Sequence, residues 1–270
     1  MASPNPAPLD AALKRDHELL TAAVRDGGAL ALTYFRANPR SWEKGAGDPV
    51  SEADIAVNDL LHEQLHGGRT GYGWLSEESE DDPVRLDTES IWIVDPIDGT
   101  SAFLDGQAEF TIAAALAHRG EPVAAAVFNP ATDEFWDALR GQGCRLNGNP
   151  VQVTDHPTCS GSRLLLRPRA LKQTRDPEIF RDVETADPRS IAYRLALVAA
   201  GRFDAVVSLG GKSDWDLAAA ELLVTEAGGL VTTTEGKRFR YNRNSIRHQT
   251  CVAANPHLHA ALCEAFAGVR

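Results

Sequence analysis

One stretch of thirteen residues constrains this chain more than any other: Ile91 to Phe103, with the sequence IWIVDPIDGTSAF. Its first four residues are β-branched or aromatic and end at turn-forming residues, which predicts a short buried strand. Pro96 fixes its own φ angle and Gly99 tolerates a positive φ, so we expect a sharp bend there. Such a bend would hold the carboxylates of Asp95 and Asp98 at the carboxyl end of a strand, where α/β proteins commonly bind ligands.

These two carboxylates indicate a cation site. Two acids in one tight turn repel each other unless a cation lies between them, and Mg²⁺ prefers carboxylate, carbonyl and water oxygens. Asp-Pro and Asp-Gly are also ordinary turn formers, so the motif alone leaves a plain turn open as the alternative.

The bulk composition is that of an ordinary globular protein, and it narrows the classes of partner. The 270 residues are 43% hydrophobic and 24% charged, enough for a substantial core. A formal net charge of −11 disfavours nucleic acids and anionic membranes as partners, and no apolar run reaches the roughly 20 residues of a membrane span. An acidic protein that binds an anionic substrate needs local positive charge, which bound cations can supply.

Four widely spaced cysteines indicate a reducing compartment. They contain no C-x-x-C pair, which disfavours both a zinc site and a disulfide framework. The first residues show neither the basic stretch nor the apolar core of a secretory signal, so we expect a cytoplasmic protein with reduced thiols. The cysteines are Cys144, Cys159, Cys251 and Cys263.

The hydrophobic pattern of the first half, residues 1–153, predicts α+β structure. Apolar residues at helical spacing indicate helices over about 9–35 and 51–66, the second with Ser51 as N-cap, and a loop at about 40–49 lies between them. Apolar runs separated by turn residues predict a series of strands that includes hairpins. These strands are expected at 72–75, 91–94, 110–117, 123–128, 133–139 and 144–153.

A turn-rich connection at 154–162 separates this half from residues 163–270, where strands and helices alternate. Such alternation is typical of α/β structure, and the whole chain, 1–270, is expected to form one layered domain. His257 and His259 are expected to face solvent or to cap the last helix. The expected helices are 190–200, 216–227 and 256–267, and the expected strands are 163–166, 203–209, 230–233 and 250–254.

Acidic residues follow three of the predicted strands. Glu77 and Glu78 follow one strand, Asp95 and Asp98 the next, and Asp216 a later one. Taken singly, Glu77 and Glu78 are explained equally well as a solvated pair on the surface. Asp216 is explained equally well as a helix cap that stabilises its helix by about 1 kcal/mol. Five acids at three strand ends favour convergence on one sheet edge. Converging carboxylates bind two or three divalent ions, which clamp a phosphoryl group and activate water.

Four segments spread over most of the chain strengthen this interpretation. They are GDPVSEAD at 47–54, EES at 77–79, WIVDPIDGT at 92–100 and WDLAA at 215–219. Together they resemble the signatures of the inositol monophosphatase superfamily. The resemblance implies a layered α-β-α-β-α sandwich and Mg²⁺-dependent hydrolysis of a small-molecule phosphate monoester, which lithium inhibits in many members. Relatives are commonly dimers, so a homodimer is expected as well.

The resemblance, carried over by position, implies a set of metal ligands. One ion would be held by Glu77, Asp95 and the main-chain carbonyl of Ile97. A second would be held by Asp95, Asp98 and Asp216. A third, weaker ion would be held by Glu77 together with waters.

The resemblance also implies the remaining catalytic groups. Asp54 and Thr100, with Glu77, would orient and deprotonate the attacking water. Main-chain N–H groups of Gly99 and Thr100 would hold phosphate oxygens, as a turn that opens a helix can. Lys44 lies in the segment that forms a mobile flap in relatives, which makes it a candidate substrate contact.

Motif details favour one substrate class within the superfamily. Inositol phosphatases usually carry a glutamate seven residues before the Trp-Asp aspartate, where this chain has the apolar Leu209. The LSEE form of the glutamate motif and the placement of Gly210 look more like 3'(2'),5'-bisphosphate nucleotidases, which convert 3'-phosphoadenosine 5'-phosphate to AMP. Inositol 1-phosphate and histidinol phosphate stay open as alternatives. A second phosphate needs basic partners, for which the candidates are Lys212, Arg238, Arg240 and Arg243.

A competing motif, His62-Glu63-Gln64-Leu65-His66, matches the H-E-x-x-H signature of zinc peptidases. At about 100° per residue, both histidines fall opposite the apolar face of the predicted helix. No third ligand follows at zinc-peptidase spacing. A zinc peptidase is therefore an alternative that helical geometry disfavours.

Overall fold

The computed structural model describes residues 8–45 and 47–269. Strand β4 (Ser90–Asp98) is buried on both faces. Trp92 and Val94 pack into one hydrophobic cluster, and Ile91 and Ile93 pack into another. Because successive side chains of a strand point to opposite faces, a strand that is apolar on both needs a covering layer on each side.

β4 belongs to a seven-stranded sheet whose strands lie side by side in chain order. Its other strands are β3 (Gly73–Ser76), β5 (Thr111–His118), β6 (Glu121–Asn129), β7 (Glu134–Leu139), β8 (Cys144–Leu146) and β9 (Asn149–Val151). β3 and β4 are parallel, and all other neighbours are antiparallel. Buried alanines make up much of β5 and β6, so helices can approach the middle of this sheet closely.

Helices α1 (Pro8–Tyr34) and α2 (Glu52–Leu61) cover one face of the seven-stranded sheet. A π-helical turn, His62–His66, extends α2. α1 packs against β6 at Gly28, where a Cβ atom would lie 2.3 Å from the ring of Phe128. The absence of a side chain at this position therefore sets how closely α1 approaches the sheet.

The other face of the seven-stranded sheet packs on α4 (Ile191–Ala199) and α5 (Asp214–Glu226). These two helices also contact a second sheet, which has five strands. Its strands are β10 (Arg163–Leu165), β11 (Glu184–Ala186), β12 (Ala205–Ser208), β14 (Leu230–Thr232) and β16 (Cys251–Ala254). β10 is parallel to β11 and β12, whereas β16 is antiparallel to β12 and β14.

Helix α6 (Pro256–Phe266) covers the outer face of the second sheet. The layers therefore follow the order helix, sheet, helix, sheet, helix. This order confirms the predicted α-β-α-β-α sandwich. The turn-rich connection at 154–162 runs between β9 and β10, and the division of one domain into halves at that connection stays a prediction.

The loop expected at 40–49 is instead a hairpin of β1 (Ser41–Gly45) and β2 (Asp48–Ser51). Every residue of β1 is exposed, so the strand lacks the alternation of apolar and polar residues that identifies strands in a sequence. The two-residue strands β13 (Lys212–Ser213) and β15 (Arg247–His248) pair with each other and were likewise not predicted. They are too short to show any period.

The strand predicted at 91–94 extends further, and the expected bend lies at Gly99. β4 continues through Pro96 to Asp98, and the chain turns at Gly99, whose φ angle is 94°. Helix α3 (Thr100–Leu104) begins immediately after it. Proline is tolerated inside this strand because the pairing with β5 shifts register between Asp95 and Asp98.

The expectation for His259 was wrong. Its side chain is buried, and its Nε2 atom lies 2.9 Å from Thr232 Oγ1. The face of α6 that carries His259 is turned toward the second sheet, whereas His257 is exposed as expected. Among the described residues, none of the helices combines the length and hydropathy that crossing a membrane requires.

Candidate active site

The carboxyl ends of β3 and β4 lie at the same sheet edge because these strands are parallel. Glu77 follows β3, and Asp95 and Asp98 occupy the end of β4. The first turn of α5 brings Asp216 to the same edge. Carboxylate oxygens of Asp95, Asp98 and Asp216 lie within 4.8 Å of one another.

An irregularity in β4 turns Asp95 and Asp98 to the same side. Residues three apart in a regular strand point to opposite faces. Here Asp95 pairs with Ala113 and Asp98 pairs with Thr111, so three steps along β4 match two along β5. The extra residue of this bulge lets both carboxylates join one cluster.

Asp95 is a deeply buried member of the acidic cluster. Its side chain is 1% exposed, and neither carboxylate oxygen has a hydrogen-bond partner among the described residues. Burial, and then the charges of Glu77, Asp98 and Asp216, raise the pKa of Asp95 well above its ordinary value. A buried carboxylate without donors is costly. A hard divalent cation fits this all-oxygen set of ligands and removes that cost.

Asp98 is held by the N-terminus of α4. The Ser190 hydroxyl and the main-chain N–H of Ala192 donate to Asp98 Oδ2 at 2.6 and 2.5 Å. Burial and the charge of Asp216 nevertheless raise the pKa of Asp98 to about 7. Ser190 also caps α4, since its oxygen accepts from the N–H of Tyr193. The sequence marked Ser190 only as the start of a helix, and its contact with Asp98 was missed.

Asp216 serves the cluster and its own helix at once. The N–H of Ser213 donates to Asp216 Oδ2, an arrangement that completes the N-terminus of α5. Burial raises the pKa of Asp216, and the Ser213 N–H and the charges of Lys212 and Arg247 oppose that rise. The two interpretations of Asp216, metal ligand and helix cap, are therefore compatible.

The hairpin of β1 and β2 places a cation beside the glutamates. Lys44 Nζ lies 3.3 Å from Glu77 Oε1 and 2.7 Å from Glu78 Oε1. Burial raises the pKa of Glu77 to about 8, against the lowering effect of Lys44. The structure thus brings Lys44 to the edge of the acidic cluster.

Asp54 and Thr100 form a hydrogen-bonded pair near Asp95. The N–H and the hydroxyl of Ser51 donate to Asp54 Oδ2 at 2.8 and 2.6 Å. Thr100 Oγ1 lies 2.9 Å from Asp54 Oδ1 and 3.0 Å from the carbonyl oxygen of Ile97. Burial raises the pKa of Asp54, which makes its carboxylate a better proton acceptor. The capping box of α2 therefore fixes this carboxylate with one oxygen toward Thr100.

Gly99 shapes the turn between the cluster and α3. A Cβ atom there would lie 2.9 Å from the carbonyl oxygen of Glu109, and the φ angle of 94° also favours glycine. The first hydrogen bonds of α3 are donated by Ala102 and Phe103 to the carbonyl of Gly99. N–H groups that precede them, including those of Gly99 and Thr100, lie at a helix start, where anions are favoured.

A cleft of about 320 Å³ opens from the acidic cluster. Asp98 and Asp216 line one part of it, and Leu209 and Lys212 line it as well. The apolar Leu209 therefore borders this cleft. The cleft also contains arginines that the sequence did not single out, namely Arg167, Arg169, Arg189 and Arg194.

Three of the four basic residues proposed for a second phosphate lie elsewhere. Arg238 and Arg240 line a separate cleft with Glu121, and the carbonyl of Arg243 accepts from Arg85. This segment packs on the turn between β5 and β6, which is at the end of the sheet opposite to the acids. Sequence distance from Asp216 could not reveal that placement.

The H-E-x-x-H histidines occupy the π-helical turn after α2. The rings of His62 and His66 stack with centroids 5.0 Å apart, and His62 packs edge-on against Trp74. In the part of the chain that the structure describes, the group of three or more close metal-ligand side chains is the aspartate cluster and not these histidines. The geometry therefore gives no support to a zinc peptidase.

Comparison with known proteins agrees with the layered fold. The model of the inositol monophosphatase family matches residues 13–269. An inositol-1-monophosphatase of Rhizobium meliloti (strain 1021) is 38% identical over 255 residues, which cover 91% of this chain and 93% of that protein. The Nus factor SuhB of Salmonella typhimurium (strain 14028s) is 32% identical over 261 residues, with 91% and 94% covered.

A solved structure shows the same architecture. The extragenic suppressor protein suhB from Bartonella henselae superimposes with a TM-score of 0.80 at 28% identity, over 93% of this chain and 98% of that one. The family match covers almost the whole chain, in agreement with the layered fold. The chain therefore belongs to the inositol monophosphatase family, whose members are metal-dependent phosphomonoesterases.

Proposed function

We propose that this enzyme hydrolyses a polyol monophosphate of the myo-inositol 1-phosphate type, with Mg²⁺ as its metal. The observation that carries the proposal is the buried carboxylate of Asp95, which has no hydrogen-bond partner among the described residues and lies close to Glu77, Asp98 and Asp216. The relative named inositol-1-monophosphatase, which matches over 91% of the chain, favours this ester over the bisphosphate nucleotide indicated by motif details. The nucleotidase activity and hydrolysis of histidinol phosphate stay predictions.

Two or three Mg²⁺ ions would be held by the acidic cluster. The ligands proposed for them are Glu77, Asp95, the carbonyl oxygen of Ile97, Asp98 and Asp216. When bound, such ions lower the pKa of a coordinated water and neutralise charge on phosphoryl oxygens.

The chain's own groups would position the ester and move the proton. The hydroxyl of Thr100 donates to Asp54 Oδ1, so it can accept a proton from the attacking water as it passes its own proton to Asp54. Two donors from Ser51 keep the other oxygen of Asp54 in place. The N–H groups of Gly99 and Thr100 would hold the phosphate oxygens at the start of α3.

Lys44 is the first of two basic residues proposed to contact the substrate. Its ammonium group lies beside Glu77 and Glu78, so it also offsets negative charge at that edge of the acidic cluster. Lys212, which lines the cleft, is the second basic residue proposed to contact the substrate. A homodimer is part of the same proposal.

The test is phosphate release from three esters: myo-inositol 1-phosphate, 3'-phosphoadenosine 5'-phosphate and histidinol phosphate. Each is assayed with Mg²⁺ and with a chelator. We expect the highest kcat/KM of the three esters for myo-inositol 1-phosphate, and no turnover in the chelator. Chelator-resistant hydrolysis, or no release from myo-inositol 1-phosphate, would overturn the proposal.

A further inference from the structure

The H-E-x-x-H segment has no part in the proposed phosphatase reaction, yet its two histidines lie side by side. His62 and His66 begin and end the π-helical turn that extends α2, and residues four apart on a helix are neighbours on its surface. Their ring centroids are 5.0 Å apart, and their ring planes differ by 23°. His62 also packs edge-on against Trp74 of β3, so the pair rests against the seven-stranded sheet.

The separation of the two rings matches that of two imidazole ligands on one ion. With Zn–N bonds of about 2.0–2.1 Å and a tetrahedral angle, two coordinated imidazoles have centroids about 5 Å apart. The observed separation of 5.0 Å therefore allows His62 and His66 to bind a single ion after small rotations of their side chains.

The ring nitrogens of both histidines are available to a ligand. Within residues 8–45 and 47–269, neither ring forms a hydrogen bond or an ion pair through its nitrogens. His66 Nδ1 is buried without a partner, which is costly for a polar atom, whereas His62 is exposed. Burial, and then the charge of His66, lower the pKa of His62, which favours the neutral form that binds metals.

The cavity in front of the two histidines is negatively charged. It has a volume of about 560 Å³, and both rings line it. Asp59 lies three residues before His62, and its charge acts on that ring. The cavity therefore favours a cation, with Asp59 as an available third ligand. The charged side chains that line it are Asp59, Glu80, Asp82 and Arg85, which sum to 1 − 3 = −2.

Nitrogen ligands select a different class of ion from that of the acidic cluster. Imidazole suits Zn²⁺, Cu²⁺ and Ni²⁺, whereas a set of oxygen ligands suits Mg²⁺. The cavity in front of the histidines is also separate from the acidic cluster, because none of the four clustered acids lines it. Those acids are Glu77, Asp95, Asp98 and Asp216.

We propose that His62 and His66 form a second metal site, which binds one divalent transition-metal ion of the Zn²⁺ class, with Asp59 and water completing the coordination. The proposal concerns metal binding and not the peptide hydrolysis that the H-E-x-x-H signature denotes in other proteins. The ion joins two positions of a helical turn that packs on β3, so binding stabilises the folded state. This site goes beyond the proposed phosphatase function and does not depend on it.

The experiment is a calorimetric titration of the full-length protein with Zn²⁺ in excess Mg²⁺. The proteins are the wild type, His62→Gln, His66→Gln, the double variant and His257→Gln. His257 is exposed and lies outside the cavity, so its substitution is the matched control. Any Zn²⁺ that enters the acidic cluster is common to all five proteins. Melting temperatures in chelator show that each variant is folded.

We expect the wild type to bind one Zn²⁺ whose Kd rises by about tenfold or more in His62→Gln and in His66→Gln, because each substitution removes one of two nitrogen ligands. His257→Gln should bind as the wild type does. The double variant should lose less than the product of the two single effects, since two ligands of one ion are coupled. Zn²⁺ should also raise the melting temperature of the wild type more than that of His66→Gln.

Three results would overturn the metal site. The first is equal Zn²⁺ affinity in the wild type and His62→Gln, and the second is an equal loss of affinity in His257→Gln. The third is a loss in the double variant that equals the product of the single effects, which would show two independent histidines.

The metal site and the proposed phosphatase function fail in different ways. Mg²⁺-dependent phosphate release from myo-inositol 1-phosphate should be unchanged in His62→Gln and His66→Gln, because neither histidine belongs to the acidic cluster or lines its cleft. Absence of phosphate release in the wild type contradicts the proposed function and leaves the outcome of the Zn²⁺ titration unaffected.

Discussion

At the scale of single residues, Asp54 and Asp95 are both buried aspartates, but their hydrogen-bond partners suit them to different roles. Asp54 accepts from two groups of Ser51 and from Thr100, so its charge is stabilised by the protein. Asp95 has no donor among the described residues, so its charge needs a cation. The first arrangement suits a proton acceptor, and the second suits a metal ligand.

Asp95→Asn tests the role assigned to Asp95. We expect a loss of about a hundredfold or more in kcat with Mg²⁺, because the amide is a weaker ligand for a hard cation. The metal-free variant should be at least as thermostable as the wild type, because one of four mutually repelling carboxylates is gone. Phosphate release and the melting temperature in chelator measure the two effects.

The exposed acid Asp155 provides the control for this substitution. Asp155→Asn changes the net charge equally and should leave both the rate and the melting temperature near the wild-type values. Near-normal Mg²⁺-dependent turnover in Asp95→Asn would remove this residue from the metal site.

At the scale of secondary structure, helix N-termini supply much of the site. α2 contributes Asp54, α3 contributes Thr100, α4 holds Asp98 through Ser190, and α5 contributes Asp216. The positive end of a helix dipole favours anions, so these helices partly offset the repulsion within the cluster. The bulge in β4 then aligns Asp95 with them. The site is therefore a property of how the layers are stacked.

The packing of α1 on the sheet depends on Gly28. Alanine has a better helix propensity by about 1 kcal/mol, but a Cβ at Gly28 would lie 2.3 Å from the buried ring of Phe128. The steric effect should prevail, because that ring is packed against Phe135. We expect Gly28→Ala to lower the free energy of unfolding by about 1–3 kcal/mol, as measured by urea denaturation.

Gly67 is the matched control for this substitution. It lies at the end of the helical turn after α2 with a φ angle of −59°, and a Cβ atom at this position would meet no neighbouring group within 4 Å. Gly67→Ala should leave stability unchanged or raise it slightly. A Gly28→Ala protein as stable as Gly67→Ala would show that the α1 contact relaxes freely.

At the scale of the whole molecule, the site draws its acids from positions between 54 and 216, on elements of different layers. Folding brings these charges together, so their repulsion destabilises the folded state when no metal is bound. Metal binding removes that repulsion only in the folded state, and it is therefore coupled to stability.

The pH dependence of stability follows from the raised pKa values of this cluster. The pKa of Glu77 rises from 4.5 to about 8, and that of Asp98 rises from 3.8 to about 7. At pH values between the ordinary and the raised pKa of each group, the folded state binds more protons than the unfolded state. Stability therefore falls as the pH rises through this range. The melting temperature in chelator should fall from pH 5 to pH 8.

Mg²⁺ should raise the melting temperature more at pH 8 than at pH 6, because at the higher pH it replaces protons that the metal-free cluster has lost. Thermal melts across this range, with Mg²⁺ and with chelator, measure the difference. Glu221, whose pKa burial also raises to about 7, contributes a background slope, which Glu221→Gln removes. A Mg²⁺ effect that is equal at both pH values would contradict the coupling.

The sequence by itself determined the features that depend on near neighbours. The runs of apolar residues gave most strands and helices, and the Asp95 to Thr100 motif with Asp216 indicated an acidic site and the family. Only the tertiary structure showed the hairpin of β1 and β2, the contact of Ser190 with Asp98 and the arginines that line the cleft. It also showed that Arg238, Arg240 and Arg243 lie away from the acidic cluster. The physical reason is that periodicity and turn chemistry act over a few residues. Which distant side chains meet at one sheet edge is set by strand register and by the stacking of the layers.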